Sequence, residues 1–547
     1  MAWRKTVNTR RAKARPAQNK MMAAPIPYDL AITGTMIFDG LGDPPVRAAV
    51  ALRGGRVAAI GSEGSFRAGR VLNFPGGYLS PGFIDIHSHS DFSVLIDPRS
   101  ESKIRQGVTT EVIGNCGSSA SPLLGDKLAR ERNRRPRLRI NWKNLNGYRR
   151  RVEEKGTAVN LLPLTGQGNL RAGVMGYSAG PPSRSELIKM IALLERELEA
   201  GSRGLSTGLI YPPGVFSGVG ELSALLRRVA ERGGIYATHM RSESSGVLAA
   251  VRESIRLAEM AGVSLQISHL KAQGRNNWPL LDPCLEAICA ARRRGLDVHC
   301  DRYPYTASCT DLDVLLPDWA QEGGVEEELR RLKDPPTLER IKREITWRDW
   351  SAVMISRLGR GGRSPCEGRR ISALARAEGL DPLDFFVKVL KDNKLKAEAV
   401  FFSLSEENLR KVLRRPFCAV GSDSASLAIA GPLSRGFPHP RVFGTFPRFL
   451  SSLRRRCGLS WEEAIRRITS LPASKLGLAG RGVIREGAPA DLVVFDPRRL
   501  KDRADFRRPL RYPEGIELVV VNGEIVFADG RHTGRLPGVV LKSFLSP

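Results

Sequence analysis

Two histidines separated by one residue, His87 and His89, follow a short apolar run that begins after Pro81 and Gly82. Side chains two apart in a strand project to the same face, so both imidazoles point away from one strand end. Two imidazole nitrogens in that position suit one metal ion. An ordinary strand that ends in polar residues has the same pattern, so the pair alone does not decide between the two interpretations.

Four more side chains of metal-binding type stand at the ends of apolar, strand-like runs. His239 and His269 each end such a run, Cys116 follows another, and Asp423 follows Cys418–Gly421. Thiolate and imidazole are ligands that zinc prefers. Each residue also has a simpler interpretation, since Cys116 fits a buried thiol and Asp423 fits a turn or helix cap. The repetition of one pattern predicts that these ends meet at one metal site.

The elements that position these residues read as alternating strands and helices, which indicates βα units around a parallel sheet. Helical runs include Ser185–Ala200, Glu221–Arg232 and Gly246–Ala261. The candidate barrel strands are Phe83–His89, Thr109–Cys116, Val159–Thr165, Gly204–Leu209, Ile235–His239, Leu265–His269, Leu296–Asp301 and Cys418–Asp423. Eight units predict a TIM-type (β/α)8 barrel, whose active site lies where the strands end. Two further strand-like runs remain after these eight strands are assigned: Ala352–Ser356 and Ala399–Ser403.

Both ends of the chain have short alternating strands with glycine turns, which predicts a small antiparallel β-sandwich built from both ends. The predicted domains are residues 27–78 plus 479–547 for this sandwich and residues 79–478 for the barrel. A polar, helix-rich stretch at about 310–369 is predicted as an insertion into the barrel. Residues 1–26 are basic and lack apolar periodicity, which predicts a disordered tail.

Composition limits the classes of function. The chain has 547 residues, 41% hydrophobic content and no apolar run near the roughly 20 residues that span a bilayer, so we expect no membrane partner. The net charge is +29. Basic clusters without aromatic interleaving or a DNA-binding motif indicate solvated surfaces rather than specific nucleic-acid binding. Eight cysteines without a CxxC pair predict a reducing, cytoplasmic compartment.

The order His-x-His, Cys, His, His and Asp, each at a strand end, resembles the amidohydrolase superfamily. Within it, the chain is similar to the branch of N-acyl-D-amino-acid deacylases, the D-aminoacylases, from about Tyr28 onward. The motifs that carry this resemblance are Gly204–Leu209 with Tyr211–Gly214, Ile267–Lys271, Tyr303–Tyr305, and His439–Arg441 with Gly444–Arg448.

The resemblance implies a zinc site of one or two ions. Its ligands would be His87, His89, Cys116, His239 and His269, with the cysteine thiolate bridging two metal positions. Asp423 is the candidate general base and acid, because a carboxylate within hydrogen-bond reach of the attacking water can take its proton and deliver it to the departing amine.

Three further residues are implied as contacts of the substrate α-carboxylate. Lys271, Tyr303 and Arg441 supply two cations and a hydroxyl, which suit a carboxylate through charge-assisted hydrogen bonds. Each of these residue types, taken alone, is more often found at a protein surface than in a binding site. Gln167 stands where relatives often show histidine, so a substrate contact at that position is not expected to be retained.

The predicted function is zinc-dependent hydrolysis of the amide of small N-acyl-D-amino acids to a carboxylate and a free D-amino acid. One alternative is a related amidohydrolase acting on D-dipeptides or on cyclic amides, as hydantoinases and dihydroorotases do. The other alternative is a barrel kept as a non-catalytic scaffold. Every metal-binding residue type of the pattern is present in this chain, which favours catalysis over the scaffold.

Overall fold

The computed structural model describes residues 28–135, 138–359 and 364–542. The predicted basic tail at residues 1–26 lies outside these ranges. Within them, no helix combines the length and the apolar composition needed to pass through a lipid bilayer.

The strands of the described residues form a terminal sheet, a parallel barrel and a small inserted sheet. In chain order they are β1 (Tyr28–Ile37), β2 (Val46–Arg53), β3 (Arg56–Gly61), β4 (Ala68–Pro81), β5 (Phe83–Asp85), β6 (Val108–Ile113), β7 (Asn160–Pro163), β8 (Thr165–Gly166), β9 (Gly204–Gly208), β10 (Ile235–His239), β11 (Ser264–Ile267), β12 (Val298–Arg302), β13 (Ser308–Asp311), β14 (Val353–Leu358), β15 (Ala397–Phe401), β16 (Cys418–Val420), β17 (Leu492–Phe495), β18 (Ile516–Val521), β19 (Glu524–Ala528) and β20 (Arg531–His532).

The barrel strands are parallel and follow one another around a closed ring. Strands β5, β6 and β7 pair in that order, and β8, β9, β10, β11, β12 and β16 pair in the next series. Only Leu164 separates β7 from β8. The backbone N–H of Asp423 donates to the carbonyl of His87 at 2.8 Å and joins the last strand to the first. The predicted α/β barrel is confirmed.

Helices cover the barrel because their apolar residues recur on one face. In Val247–Ala261 the buried positions are spaced three or four residues apart, as an amphipathic helix requires. The α-helices of the described residues are Ser93–Ile96, Glu101–Ile104, Gly125–Arg134, Leu145–Lys155, Gln167–Met175, Arg184–Glu199, Val219–Glu231, Val247–Ala261, Leu281–Arg293, Val325–Lys333, Pro335–Glu344, Ile371–Glu378, Pro382–Asp392, Glu406–Leu413, Arg441–Arg448, Arg454–Arg456, Trp461–Arg466 and Ser470–Lys475.

The terminal sheet contains strands from both ends of the chain. Its order is β20-β19-β18-β17-β4-β1-β2-β3, and β17 pairs antiparallel with β4, placing Val493 opposite Ser80. Leu52 from the first half and Val520 from the second half belong to one buried cluster. The predicted pairing of the two ends therefore forms, and it packs an apolar core of its own.

The stretch that leaves the barrel after β12 is longer than the predicted insertion at 310–369. Strands β13, β14 and β15 form a separate antiparallel sheet with β15 in the middle. The central strand comes last in sequence, so the inserted unit extends to Phe401. The two strand-like runs in excess of the barrel number lie in this sheet, and the unit has its own apolar cluster.

Candidate metal centre and active site

The predicted metal ligands stand where the barrel strands end. His239 is the last residue of β10, while His87, Cys116 and His269 follow β5, β6 and β11 by two or three residues. Asp423 comes three residues after β16. Parallel strands of a barrel end on the same face, so these side chains approach one another from different strands.

Four of these residues place their ligand atoms in one small volume. Cys116 Sγ lies 3.2 Å from His87 Nε2 and 3.6 Å from His269 Nε2. With a carboxylate oxygen of Asp423, these atoms all lie within 4.8 Å of one another. Such a set of nitrogen, sulfur and oxygen donors matches the coordination preferences of zinc.

His89 and His239 complete the group from two sides. His89 Nε2 lies 3.0 Å from Asp423 Oδ1, and the ring centre of His239 lies 4.4 Å from that of His269. Both ring nitrogens of His239 are buried and make no hydrogen bond in the described ranges, although Nε2 lies 3.5 Å from Glu243 Oε2. Buried imidazole nitrogens without partners are costly, so a metal ion fits as the missing partner.

Three site residues have backbone conformations that side chains usually avoid. Cys116, His269 and Asp423 have φ angles of 52°, 36° and 50°. A left-handed conformation costs roughly 1–3 kcal/mol for a residue other than glycine, and such residues concentrate at functional sites. Here each one turns the chain sharply at a strand end and directs the side chain toward the common centre.

The surroundings lower the pKa values of two groups in the cluster. Burial raises the pKa of Cys116, but His87, His239 and His269 outweigh it and hold the pKa of the thiol well below its ordinary value. Burial also raises the pKa of Asp423, yet Arg441 and the histidines hold it well below the usual range. A thiolate and a carboxylate beside several imidazoles are the charge pattern that a divalent cation requires.

The three residues implied as carboxylate contacts lie beside this cluster. Arg441 Nη1 lies 2.8 Å from Asp423 Oδ2, and the guanidinium carbon lies 4.7 Å from the ring centre of Tyr303. Lys271 Nζ lies 5.9 Å from the same ring. The hydroxyl of Tyr303 is buried without a hydrogen-bond partner among the residues that the structure describes. The structure thus brings both cations to the ring of Tyr303.

A carboxylate that the sequence analysis missed, Glu243, holds Lys271 in place. Its Oε1 accepts a hydrogen bond from Lys271 Nζ and lies 2.9 Å from His269 Nδ1. Glu243 with His239 and His269 also forms a second group of possible ligands. Because the Lys271 ammonium already contacts Glu243 and His269, the group around Cys116 is the better cation site.

Asp301 is a second residue that the sequence analysis did not select. Its Oδ1 lies 3.2 Å from His87 Nδ1 and accepts the backbone N–H of His269 at 2.9 Å. A histidine that ligates a metal commonly presents its other nitrogen to a carboxylate. The signal was visible, because Asp301 ends the predicted strand Leu296–Asp301 in the same way as the histidines end theirs.

Gln167 does not face the cluster. Its side-chain amide donates to Ser217 Oγ and to Glu221 Oε1, each at 2.7 Å. The side chain is fully buried in this neighbouring network. The glutamine therefore supports the loop near Ser217.

Comparisons with known proteins agree with this arrangement. Residues 368–527 match the sequence model of the Amidohydrolase family. The chain is 34% identical to the N-acyl-D-glutamate deacylase of Alcaligenes xylosoxydans xylosoxydans over 94% of this chain and 96% of that protein. It is 33% identical to the D-aminoacylase of the same organism over 94% and 98% of the two chains.

A solved structure is similar over the same length. The N-acyl-D-glutamate deacylase of Bordetella bronchiseptica, crystallised with zinc and a phosphonate that mimics the tetrahedral intermediate, is 33% identical, with a TM-score of 0.80. The match covers 94% of this chain and all of that one. The protein therefore belongs to the amidohydrolase superfamily, in its branch of N-acyl-D-amino-acid deacylases.

Proposed function

We propose that this protein hydrolyses the amide bond of N-acyl-D-amino acids and releases a carboxylate and a free D-amino acid. One or two zinc ions would be held by His87, His89, Cys116, His239 and His269. The observation that carries this proposal is that the donor atoms of three of these residues, His87, Cys116 and His269, and a carboxylate oxygen of the proposed base Asp423 all lie within 4.8 Å of one another. It occurs in a chain 34% identical to a deacylase over nearly its whole length.

The chemistry divides between the metal and the residues of the chain. Zinc bound at such a site lowers the pKa of water and polarises a carbonyl oxygen. Asp423 accepts a proton from the attacking water and returns it to the amine nitrogen as the amide bond breaks. The lowered pKa of Asp423 keeps the carboxylate ready to accept that proton at neutral pH.

Substrate orientation falls to the residues that lie beside the cluster. Arg441 and Lys271 offer cationic donors, and the unpaired Tyr303 hydroxyl offers a third. An α-carboxylate bound among them receives charge-assisted hydrogen bonds and places the adjacent amide toward Asp423. The Arg441–Asp423 ion pair would then be shared with the substrate.

We also propose a reducing, cytoplasmic compartment. All eight cysteines are free thiols, and the pKa of the buried Cys284 is raised to about 12 by burial, as expected for an unreactive structural thiol.

The proposed activity is tested with purified protein of known zinc content. We expect turnover of N-acetyl-D-methionine or N-acetyl-D-glutamate, and no turnover of their L enantiomers. His239→Ala is the control, because it removes one proposed ligand and should abolish turnover.

A panel with a D-dipeptide and a hydantoin separates the alternatives. Hydrolysis of the hydantoin without hydrolysis of the N-acetyl-D-amino acids would replace the proposed substrate class with cyclic amides. Substoichiometric zinc after growth in zinc-supplemented medium, with no turnover of any compound, would favour the scaffold.

A further inference from the structure

A lysine with no part in the proposed reaction is completely buried beneath the site. The Lys103 side chain has no exposed surface, and its Nζ donates to Asp85 Oδ2 at 2.7 Å and to Ser422 Oγ at 2.7 Å. It also donates to the carbonyl of Ser424 at 2.9 Å and lies 3.3 Å from Glu111 Oε2. All three ammonium donors are in use, and two buried carboxylates share the charge.

Asp85 connects this ammonium to both proposed partners in the reaction. Its Oδ1 accepts the backbone N–H of Ser422 at 2.8 Å and that of His87 at 3.3 Å. Ser422 directly precedes Asp423. The same carboxylate therefore holds the backbone at one metal-ligand position and immediately before the proposed general base.

Glu111 fixes the chain on either side of His89. Its Oε2 accepts hydrogen bonds from Ser88 Oγ and, at 2.6 Å, from Ser90 Oγ. Ser90 Oγ in turn accepts the backbone N–H of Ser426 at 2.8 Å. The network thus extends from β6 through the His-x-His segment to the loop that follows β16.

The network lies where the barrel closes. The first and last barrel strands meet through the hydrogen bond from Asp423 N–H to the His87 carbonyl and through a bridge between Ser88 and Ser424. Burial lowers the pKa of Lys103, but Asp85 and Glu111 outweigh it, so the lysine remains charged. Removing the ammonium would leave two buried carboxylates without their cation, which is strongly unfavourable.

We propose that Lys103 is a positioning residue of the site. Through Asp85, Glu111 and Ser422, its ammonium sets the distance and orientation between the His87–His89 segment and Asp423 across the closure of the barrel. The kinetic part of this inference rests on the proposed deacylase function, whereas its metal-binding part does not.

The test uses the full-length Lys103→Met and Ser422→Ala variants. We expect kcat and zinc affinity each to fall about 10- to 100-fold, the range typical of residues that support metal ligands. KM should stay within about threefold of wild type, because Lys271, Tyr303 and Arg441 are untouched. Zinc affinity is measured on metal-free protein by competition with a chelator, so it is independent of turnover.

Lys475→Met is the matched control. Lys475 Nζ is also buried, and it contacts Asp297 Oδ2 at 2.9 Å and Ser264 Oγ at 2.6 Å. Those partners precede β12 and begin β11, so this lysine lies at the opposite end of the barrel from the site. The control should lose stability as Lys103→Met does, yet keep kcat and zinc affinity.

The outcomes are distinct. Lys103→Met with the kcat and zinc affinity of Lys475→Met would overturn the proposal. If Lys103→Met does not fold, the Ser422→Ala variant is the test. Wild-type kcat and zinc affinity in that variant would refute the proposal, whereas a loss of both would support it. If wild-type protein turns over no N-acyl-D-amino acid, the proposed function fails, while zinc affinity still tests the role of Lys103.

Discussion

At the scale of single residues, the site is a set of side chains whose charges and backbone angles are unfavourable unless they are satisfied together. The neighbouring histidines lower the pKa of the Cys116 thiol, and His239 makes no hydrogen bond within the described residues. Asp423 has a left-handed backbone conformation. Residues that hold the metal and residues that move protons should therefore respond differently to substitution.

Cys116→Ala should lose zinc and turnover together, because the thiolate lies against two of the histidines.

Asp423→Ala should lose about 10²- to 10⁴-fold in kcat, the usual contribution of a general acid–base, while keeping at least one zinc equivalent. Metal analysis and steady-state kinetics on the same preparations make the comparison. An Asp423 variant with a near-normal rate would rule out its proposed role.

Gly421→Ala should disturb the site without removing any polar group. A Cβ at this position would lie 2.7 Å from His87 Cβ and 3.3 Å from Asp301 Oδ1, so His87 must move. We expect zinc affinity to fall about 10- to 100-fold, as when a supporting contact of a ligand is lost. Gly220→Ala, which meets nothing within 4 Å, is the control and should bind zinc as wild type does.

At the scale of elements, one buried carboxylate links two helices outside the site. Glu197, near the end of the helix Arg184–Glu199, accepts the backbone N–H of Leu145 at 3.1 Å. Its second oxygen is buried without a hydrogen-bond partner in the described part of the chain. Burial raises the pKa of Glu197 to about 7.

This raised pKa predicts a loss of stability with rising pH. The folded state keeps the Glu197 proton up to about pH 7, whereas the unfolded state releases it near 4.5, so stability falls between those values. The full effect is about 3 kcal/mol above pH 7. Glu197→Gln should remove it.

Urea unfolding at pH 5 and pH 8 measures this difference. The gain in unfolding free energy from Glu197→Gln should be larger at pH 8 than at pH 5. An equal effect of the substitution at both values would contradict the raised pKa.

The sequence predicted the elements best where one pattern recurred, a metal-binding type of side chain at the end of an apolar run. Five candidate site residues were selected because each follows an apolar run: His87, Cys116, His239, His269 and Asp423. The ends of parallel barrel strands meet at one face, regardless of the conformation of the connecting loops. Glu243 lies in an irregular loop, and nothing in its spacing points to Lys271. Partners that meet only when the ring closes, such as Lys103 and Ser422, are far apart in sequence and carry no local pattern.

The inserted sheet was underestimated for a similar reason. Strand β15 forms the middle of the sheet but is separated from β14 by two helices. Its sequence resembles any buried strand, and only the antiparallel pairing of Ala399 with Ile355 assigns it to the insertion.

At the scale of the whole molecule, we propose two domains that share apolar packing: the barrel from residue 82 to residue 478, and the terminal sheet domain from residues 28–81 and 479–542. Val493 and Val519 of the terminal sheet belong to the same buried cluster as Phe83 and Leu161 of the barrel. Most apolar residues of the inserted sheet and its helices instead form a separate cluster, while Met354 and Val400 of the sheet pack with Ala307 and Phe437 outside it. The insertion is thus expected to open independently of the rest.

Native-state hydrogen exchange in increasing denaturant tests this division. Amides of residues 308–401 should lose protection together, at a lower denaturant concentration than those of the barrel, because a unit with its own smaller core unfolds at lower free energy. Amides of β17 and β18 should exchange with the barrel. Simultaneous exchange of all three regions would show that the insertion is not a separate unit.

The closure of the ring also has a consequence for biosynthesis. Ser88 and Ser424 meet across 336 residues, so His87 emerges from the ribosome long before the carboxylate that it must face. Until then the nascent polypeptide carries all five proposed zinc ligands but lacks the proposed general base, and β4 cannot yet pair with β17. A complete active site therefore forms only after residue 423 has been translated, and a translation product truncated before that residue would lack the proposed general base.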